Sequence, residues 1–135
     1  MFWYRVYYRL CRMFAWLPFR CLYLISDLMY VQLYYLFRYR RKVVMENLRN
    51  SFPEKTDKER RVIARKFYRF FCDLFIETIK LTNIDTAEIR RRICYSNPEI
   101  FDELYRKGKQ VFVVTGHYGN WEWLATLEGK LKIEN

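Results

Sequence analysis

The chain has a single histidine, His117, and a glutamate five positions later, Glu122. On one regular helix an offset of five turns two side chains about 140° apart, so these groups would not face each other. They can meet only if His117 lies on a turn and Glu122 on the next helix, and Gly116 and Gly119 give the backbone freedom for such a turn. A histidine held by a carboxylate is a general base for an attacking hydroxyl. The spacing therefore predicts a catalytic pair.

The element before this pair is predicted to be a buried strand. Residues 110–115 read Q-V-F-V-V-T, a short β-branched run, and Gly116 ends it. A helix is predicted again over residues 121–130. In open α/β sheets, ligands bind where strand ends meet helix N-termini. A lone histidine at a strand end is more often structural than catalytic, but the strand, the glycines and the helix together favour a catalytic role.

Helices are predicted upstream of the strand. T-D-K-E at residues 56–59 is a capping box of Thr56 and Glu59, which predicts a long helix through about Leu81. Shorter helices are predicted over residues 86–94 and 97–108, the second closed by Gly108. The long helix has apolar residues three and four positions apart, which predicts a buried stripe. This stripe consists of Ile63, Phe67, Phe70, Phe71, Leu74, Phe75 and Thr78.

Residues 1–42 are predicted to form a membrane-associating helical segment. The least polar part, residues 21–37, would reach about 26 Å as a helix, short of a hydrocarbon core of about 30 Å. Asp27 inside it would cost about 3 kcal/mol on insertion, so a helix lying in the interface is favoured over a span. The alternative is an ordinary helix packed on another domain. The residues expected to contact the membrane are Trp3, Trp16, Arg38, Arg40, Arg41 and Lys42.

Composition limits the remaining function classes. The 135 residues are 52% hydrophobic and 30% charged, which argues against both disorder and a polytopic membrane protein. A net charge of +10 favours polyanionic partners such as phospholipid headgroups, phosphorylated glycolipids, an acidic carrier protein or nucleic acid. The four cysteines show no C-x-x-C spacing and are interpreted as reduced core residues. No metal site and no cofactor are expected.

One stretch of sequence resembles a known family. K-Q-V-F-V-V-T-G-H-Y-G-N-W-E-W (residues 109–123) is similar to the H-x4-D/E block of the glycerolipid-type acyltransferases, specifically the late lipid A biosynthesis acyltransferases. R-K-V-V-M-E-N-L-R-N-S-F-P-E-K (residues 41–55) and F-I-E-T-I-K-L (residues 75–81) resemble segments that precede that block. The resemblance implies an α/β fold, of which this chain would be the helix-rich N-terminal portion. Residues 1–42 would associate with the membrane, and residues 43–135 would begin the acyltransferase domain.

The same resemblance implies a function. A fatty acyl chain would pass from acyl carrier protein to a hydroxyl of a phosphorylated lipid A precursor, at the cytoplasmic face of the bacterial inner membrane. By position in the motif, His117 would be the general base and Glu122 its partner. Gly119 and Asn120 would help to place the acyl thioester or its oxyanion.

Several alternatives remain open. Members of the family are longer, so the chain is expected to be truncated, and one alternative is an inactive protein that still binds membrane surfaces. Another alternative keeps the chemistry and acylates a different glycolipid or an aminolipid. Nucleic-acid binding is disfavoured because the aromatic residues occupy apolar helix positions instead of interleaving with glycine on exposed strands.

Overall fold

The computed structural model describes residues 2–127. The chain divides into two compact units, Met1–Thr82 and Asn83–Asn135. The predicted boundary between the membrane-associating segment and the acyltransferase domain, after residue 42, falls inside the first unit. That functional division remains a prediction, because the division into compact units describes packing only.

The first unit is built from four α-helices and a π-helical turn. Pro18, with φ −63° and ψ 149°, is in an extended conformation and separates the first two helices. The π-helical turn directly continues the second helix, and Phe37 N–H donates to the carbonyl of Gln32 at 2.8 Å where it ends. The elements are α1 (Phe2–Trp16), α2 (Phe19–Val31), the π-helical turn (Gln32–Leu36), α3 (Arg41–Ser51) and α4 (Asp57–Leu81).

Helix α4 confirms the predicted start and end of the long helix. Glu59 N–H donates to Thr56 Oγ1 at 3.3 Å, and Thr56 N–H donates to the Glu59 carboxylate at 2.8 Å, so both halves of the capping box are present. The hydrogen bonds from Thr56 lower the pKa of the Glu59 carboxyl group. The local sequence therefore determines where the helix starts without help from tertiary contacts.

The predicted buried stripe of α4 is wrong by about one position. The buried residues are Ala64, Tyr68, Cys72 and Ile76, which recur every four residues. Three predicted members, Phe67, Phe70 and Phe75, are 44%, 45% and 50% exposed. The buried line faces the helices that pack on α4. The phenylalanines lie beside this line, where the rings of Phe67 and Phe75 each pack on that of Phe71.

The core of the first unit joins aromatic and small side chains. Tyr30 and Tyr34, from α2 and the π-helical turn, pack with Ala64, Tyr68 and Cys72 of α4. Polar side chains also join the helices. Ser26 Oγ donates to Asp73 Oδ1 at 2.6 Å, and Lys80 Nζ donates to the carbonyls of Ala15 and Leu17 at 2.5 and 3.1 Å, respectively. These bonds satisfy polar groups that would otherwise be costly to bury.

No single helix within residues 2–127 is long and apolar enough to cross a membrane. Helix α1 and the continuous helical segment Phe19–Leu36 together have the length and composition of a membrane-crossing segment, but they are bent by 113° where they meet.

The second unit has shorter elements. They are α5 (Thr86–Arg92), α6 (Glu99–Arg106) and a 3-10 helix (Trp121–Thr126). The two α-helices confirm the predicted short helices to within a few residues. Gly108 follows α6 with φ +64°, and its N–H donates to the carbonyl of Tyr105 at 2.8 Å, as a glycine that closes a helix does. The predicted final helix begins at Trp121 as expected, and its last residues, 128–130, lie outside the described part of the chain.

The predicted strand is not formed. Residues 110–115 have no regular secondary structure, and Phe112 and Val114 are 88% and 94% exposed. A strand needs a neighbouring strand for its backbone N–H and C=O groups, and residues 2–127 contain none to pair with. The helix-rich character of the prediction is therefore confirmed, while its α/β class is not confirmed.

Candidate active site

His117 lies on a tight turn, as the sequence predicts. Tyr118 N–H donates to the carbonyl of Gly116 at 2.8 Å, which closes a three-residue γ-turn centred on His117. Gly119 follows with φ +63°, a left-handed conformation that favours glycine. The imidazole is exposed and packs on the indole of Trp121, with ring centroids 4.4 Å apart and planes inclined by 57°.

Glu122 lies on the 3-10 helix that follows the turn, and its side chain is half-buried. The main chain of this helix is held by Tyr95, whose hydroxyl donates to the carbonyl of Trp123 at 3.1 Å and lies 3.1 Å from Thr126 Oγ1. Thr126 Oγ1 also donates to the carbonyl of Trp123, at 2.7 Å. Trp123 is buried, with 8% of its surface exposed. The element that carries the carboxylate is thus fixed to the loop between α5 and α6.

The two members of the predicted pair lie on the predicted elements but are not joined by a polar contact among the described residues. Within residues 2–127 no hydrogen bond or ion pair joins His117 to Glu122, and the imidazole packs on Trp121. Gly119 and Asn120 connect the γ-turn to the 3-10 helix, and the Asn120 carbonyl accepts from Trp123 N–H at 3.3 Å. The catalytic and substrate-binding roles of these four residues therefore stay predictions.

A second cluster of predicted site residues lies in the first unit. Four residues expected to contact the membrane, Arg38, Arg40, Arg41 and Lys42, line a cleft of about 1010 Å³. We call it the basic cleft. Its other lining residues are Met45, Glu46, Arg49 and Arg61. The sequence analysis missed Arg49 and Arg61; positions 41, 45 and 49 share one helix face at a spacing of four, which is a signal for Arg49.

The tryptophans expected to contact the membrane are both strongly exposed. Trp3 and Trp16, near the two ends of α1, are 80% and 82% exposed. Other apolar side chains on α1, including Phe2, Leu10 and Met13, are also more than half exposed. Exposed aromatic and apolar groups on one helix are compatible with an interfacial position, although membrane contact itself stays a prediction.

The described residues have four free cysteines and no cluster of metal-binding side chains. No set of three His, Cys, Asp or Glu side chains within residues 2–127 could hold a metal ion. The four cysteines are free, but only Cys72 is fully buried, and burial raises the pKa of its thiol. Cys21 and Cys94 are exposed, so the interpretation of all four as core residues is wrong.

The chain matches a known protein family over all of its described residues. The family model for bacterial lipid A biosynthesis acyltransferases matches residues 2–130. The match spans both compact units and includes both the His117 turn and the basic cleft. Comparisons with curated proteins and with solved structures give no match.

Proposed function

The chain belongs to the bacterial lipid A biosynthesis acyltransferase family, and on this basis we propose that it transfers a fatty acyl chain from acyl carrier protein to a hydroxyl of a lipid A precursor. Membership itself supports a lipid A-related acyltransferase associated with bacterial membranes. The observation that carries the finer proposal is the placement of His117 at the centre of an exposed γ-turn, directly before the helix that bears Glu122.

The proposed reaction uses the imidazole as a general base. His117 takes the proton of the acceptor hydroxyl while the hydroxyl oxygen attacks the carbonyl carbon of the acyl thioester. A new C–O bond forms, the C–S bond breaks, and the departing thiolate of the carrier takes the proton from the imidazolium. Glu122 orients the imidazole and stabilises its positive charge. Gly119 N–H and the Asn120 side chain donate to the oxyanion that develops on the carbonyl oxygen.

In this mechanism the imidazole must leave the face of Trp121 and turn toward Glu122. The γ-turn is exposed, so rotation of the His117 side chain displaces no packed core residue. Catalytic hydrogen bonds are often long in the substrate-free enzyme and shorten when the substrate is bound. The imidazole then rotates toward Glu122, whose position is set by the 3-10 helix that Tyr95 holds.

The partners in the proposal follow from the family and from charge. The acyl donor is acyl carrier protein, the acceptor is a phosphorylated glycolipid, and the reaction takes place at the cytoplasmic face of the inner membrane. Trp3 and Trp16 would lie at the membrane interface, and the cations of the basic cleft would face anionic lipid. A net charge of +10 is compatible with both an acidic carrier and a phosphorylated acceptor.

The α/β fold class is part of the same proposal. We propose that residues 110–115 form a strand in the active protein, because the run is β-branched and its side chains are available for packing. Slow amide exchange at Val111, Val113 and Val114 in the presence of acyl carrier protein and acceptor would support the proposal. Exchange at the unprotected rate in that complex would contradict it.

The test of the mechanism is an acyl-transfer assay with acyl carrier protein as donor and a lipid A precursor as acceptor. His117→Ala and Glu122→Gln should each lower kcat, by about 10²-fold or more for the base. Glu103→Gln on α6 is the matched control for Glu122→Gln, since it removes an exposed carboxylate from the same unit. Transfer by wild type that persists unchanged in His117→Ala would reject the general-base role.

A further inference from the structure

The basic cleft concentrates positive charge from the loop of residues 38–40, from α3 and from α4. Six cationic side chains and one carboxylate line it. Arg49 has an acidic partner, since its Nε lies 3.5 Å from Asp57 Oδ1. The guanidinium of Arg41 lies 4.4 Å from the ring centroid of Tyr34 and is thereby held against the core. The excess of cations over carboxylates makes the cleft suited to an anion.

The loop of residues 38–40 that forms one wall of the cleft is held in an unusual conformation. Arg38 and Arg40 have φ values of +51° and +50°, in the left-handed region that residues with a Cβ rarely adopt. The residue between them is fixed by two hydrogen bonds. Tyr39 N–H donates to the carbonyl of Leu33 at 3.0 Å, and the carbonyl of Tyr39 accepts from the hydroxyl of the buried Tyr68. The core thus sets the positions of both arginines before any ligand arrives.

The same loop also borders a small apolar pocket. Tyr39 lines this pocket of about 220 Å³, while its neighbours Arg38 and Arg40 line the basic cleft. The other residues of the apolar pocket are Met29, Leu33, Phe71, Cys72 and Phe75. Three consecutive residues therefore line a strongly cationic cleft and a mainly apolar pocket. A ligand that fills both must carry an anionic group next to an apolar chain.

We propose that the basic cleft and the apolar pocket together bind one anionic phospholipid of the bilayer, with its phosphate among the arginines and part of an acyl chain against Phe75 and Leu33. A free phosphate would leave the apolar pocket unused, since it has no apolar chain to place there. The site lies wholly in the first unit. It is independent of the His117 mechanism, and it differs from diffuse charge attraction because it is saturable.

The experiment titrates the full chain, in a neutral detergent, with phosphatidylglycerol, and counts bound lipids by native mass spectrometry. We expect one saturable lipid per chain. Arg38→Gln/Arg40→Gln should weaken its binding about 30-fold. Arg90→Gln/Arg91→Gln on α5 removes the same charge elsewhere and should leave binding within about twofold of wild type. Equal losses in the two double variants would overturn the proposal, because they would indicate attraction to net charge alone.

The apolar pocket has its own matched pair on α4. Phe75→Gln changes a ring that lines the pocket, whereas Phe67→Gln changes a similarly exposed ring that does not line it. Only Phe75→Gln should weaken phosphatidylglycerol binding, and both side chains are exposed enough for the variants to fold.

Three other probes complete the test. Phosphatidylcholine and inorganic phosphate should each bind at least about tenfold more weakly than phosphatidylglycerol, because each lacks either net negative charge or an acyl chain. Inorganic phosphate that binds as tightly as the lipid would overturn the apolar part of the proposal. Saturable binding of a phosphorylated glycolipid, without binding of phosphatidylglycerol, would overturn the assignment to a bilayer phospholipid. Acyl-transfer activity enters none of these measurements, so their outcome is separate from that of the proposed mechanism.

Discussion

The two compact units differ in how they hold their residues in place. In the first unit, α4 buries a line of four residues against α2 and the π-helical turn, and Lys80 ties it to the main chain that ends α1. In the second unit, Trp123 is the only buried apolar side chain among the described residues, and Phe112, Val114 and Tyr118 are each at least 88% exposed. Packing is therefore concentrated where no catalytic residue is proposed.

The difference shows that the two parts of the sequence carry different information. Residues of the first unit mainly specify helices that pack on each other. The second unit carries the proposed reacting groups on a γ-turn and a 3-10 helix, and side-chain hydrogen bonds from Tyr95 hold that helix. Functional side chains commonly lie on loops that a rigid scaffold positions. Stability measurements on matched substitutions in the two units test this contrast.

The largest difference is expected from removing apolar volume. Ile76 on α4 is 1% exposed, whereas Phe112 in the second unit is 88% exposed. Ile76→Ala should lower the free energy of unfolding by about 2–5 kcal/mol, because it leaves a cavity in a packed core. Phe112→Ala should change it by less than about 0.5 kcal/mol. Urea unfolding followed by circular dichroism measures both, and equal losses would contradict the contrast between the units.

Alkaline pH should weaken the first unit. Burial, and then a hydrogen bond with Tyr35, raise the pKa of Tyr30 to about 12, from 10.0 for an exposed tyrosine. The stability that this group contributes is fully present below pH 10 and is lost as pH rises toward 12. The loss should amount to about 2–3 kcal/mol at most. Tyr30→Phe should remove this part of the pH dependence, which unfolding curves between pH 9 and 12 would measure.

The outcome that would contradict this prediction is an unchanged alkaline slope in Tyr30→Phe. Tyr68 is also buried and its pKa is raised by the same cause, so some alkaline loss should persist in the variant.

A smaller difference is expected from helix N-caps. Thr56, at the N-cap of α4, makes a capping box, whereas Asp85, at the N-cap of α5, makes no side-chain capping bond. Thr56→Ala should lower the free energy of unfolding by about 1 kcal/mol, and Asp85→Ala by clearly less. The loss of stability caused by Thr56→Ala should be smaller at acid pH. As pH falls through the lowered pKa of Glu59, the carboxylate that completes the capping box is protonated. Unfolding of both variants at pH 7 and pH 3 checks this, and equal losses at pH 7 would contradict it.

How far the sequence predicts this structure depends on whether the signal is local. The T-D-K-E box and the glycine after α6 act on neighbouring residues, and the elements that they delimit are observed within a few positions. The buried face of α4 is decided by what packs against it, so a tally of large apolar residues selects the phenylalanines beside the true line. The strand at residues 110–115 depends on a partner strand, which no local pattern supplies.

The candidate site follows the same rule. Local glycines predict the turn at His117 and the helix after it, and both are observed. Contact between His117 and Glu122 depends on the side-chain rotamers and on which neighbouring group packs against the imidazole. In the structure that group is the indole of Trp121. The predicted cluster of Arg38 to Lys42 gains Arg61 only through the packing of α3 on α4, so spacing along the chain cannot reveal that member.

The smallest expected effect concerns backbone strain, which the two units also handle differently. Among residues 2–127, the left-handed positions of the second unit are glycines, Gly108 and Gly119, whereas those of the first unit are Arg38 and Arg40. A residue with a Cβ costs about 1–2 kcal/mol there, and such strain persists only where surrounding packing fixes the backbone. Arg40→Gly should relieve it and raise the free energy of unfolding by about 0.5–1 kcal/mol, after the entropy of glycine in the unfolded chain is subtracted.

Arg49→Gly is the control for that substitution, because it removes the same side chain from the last turn of α3, where the backbone is right-handed. It should lower the free energy of unfolding by about 1 kcal/mol. Opposite signs for the two variants in urea unfolding would show that the fold holds Arg40 against its backbone preference. If Arg40→Gly instead lowers stability as much as Arg49→Gly, the loop is not strained, and the positions of its arginines then follow from ordinary local preference. Backbone strain is retained only where something compensates for it. If Arg40→Gly stabilises the fold and also weakens phospholipid binding, ligand binding is the reason for an arginine at this position.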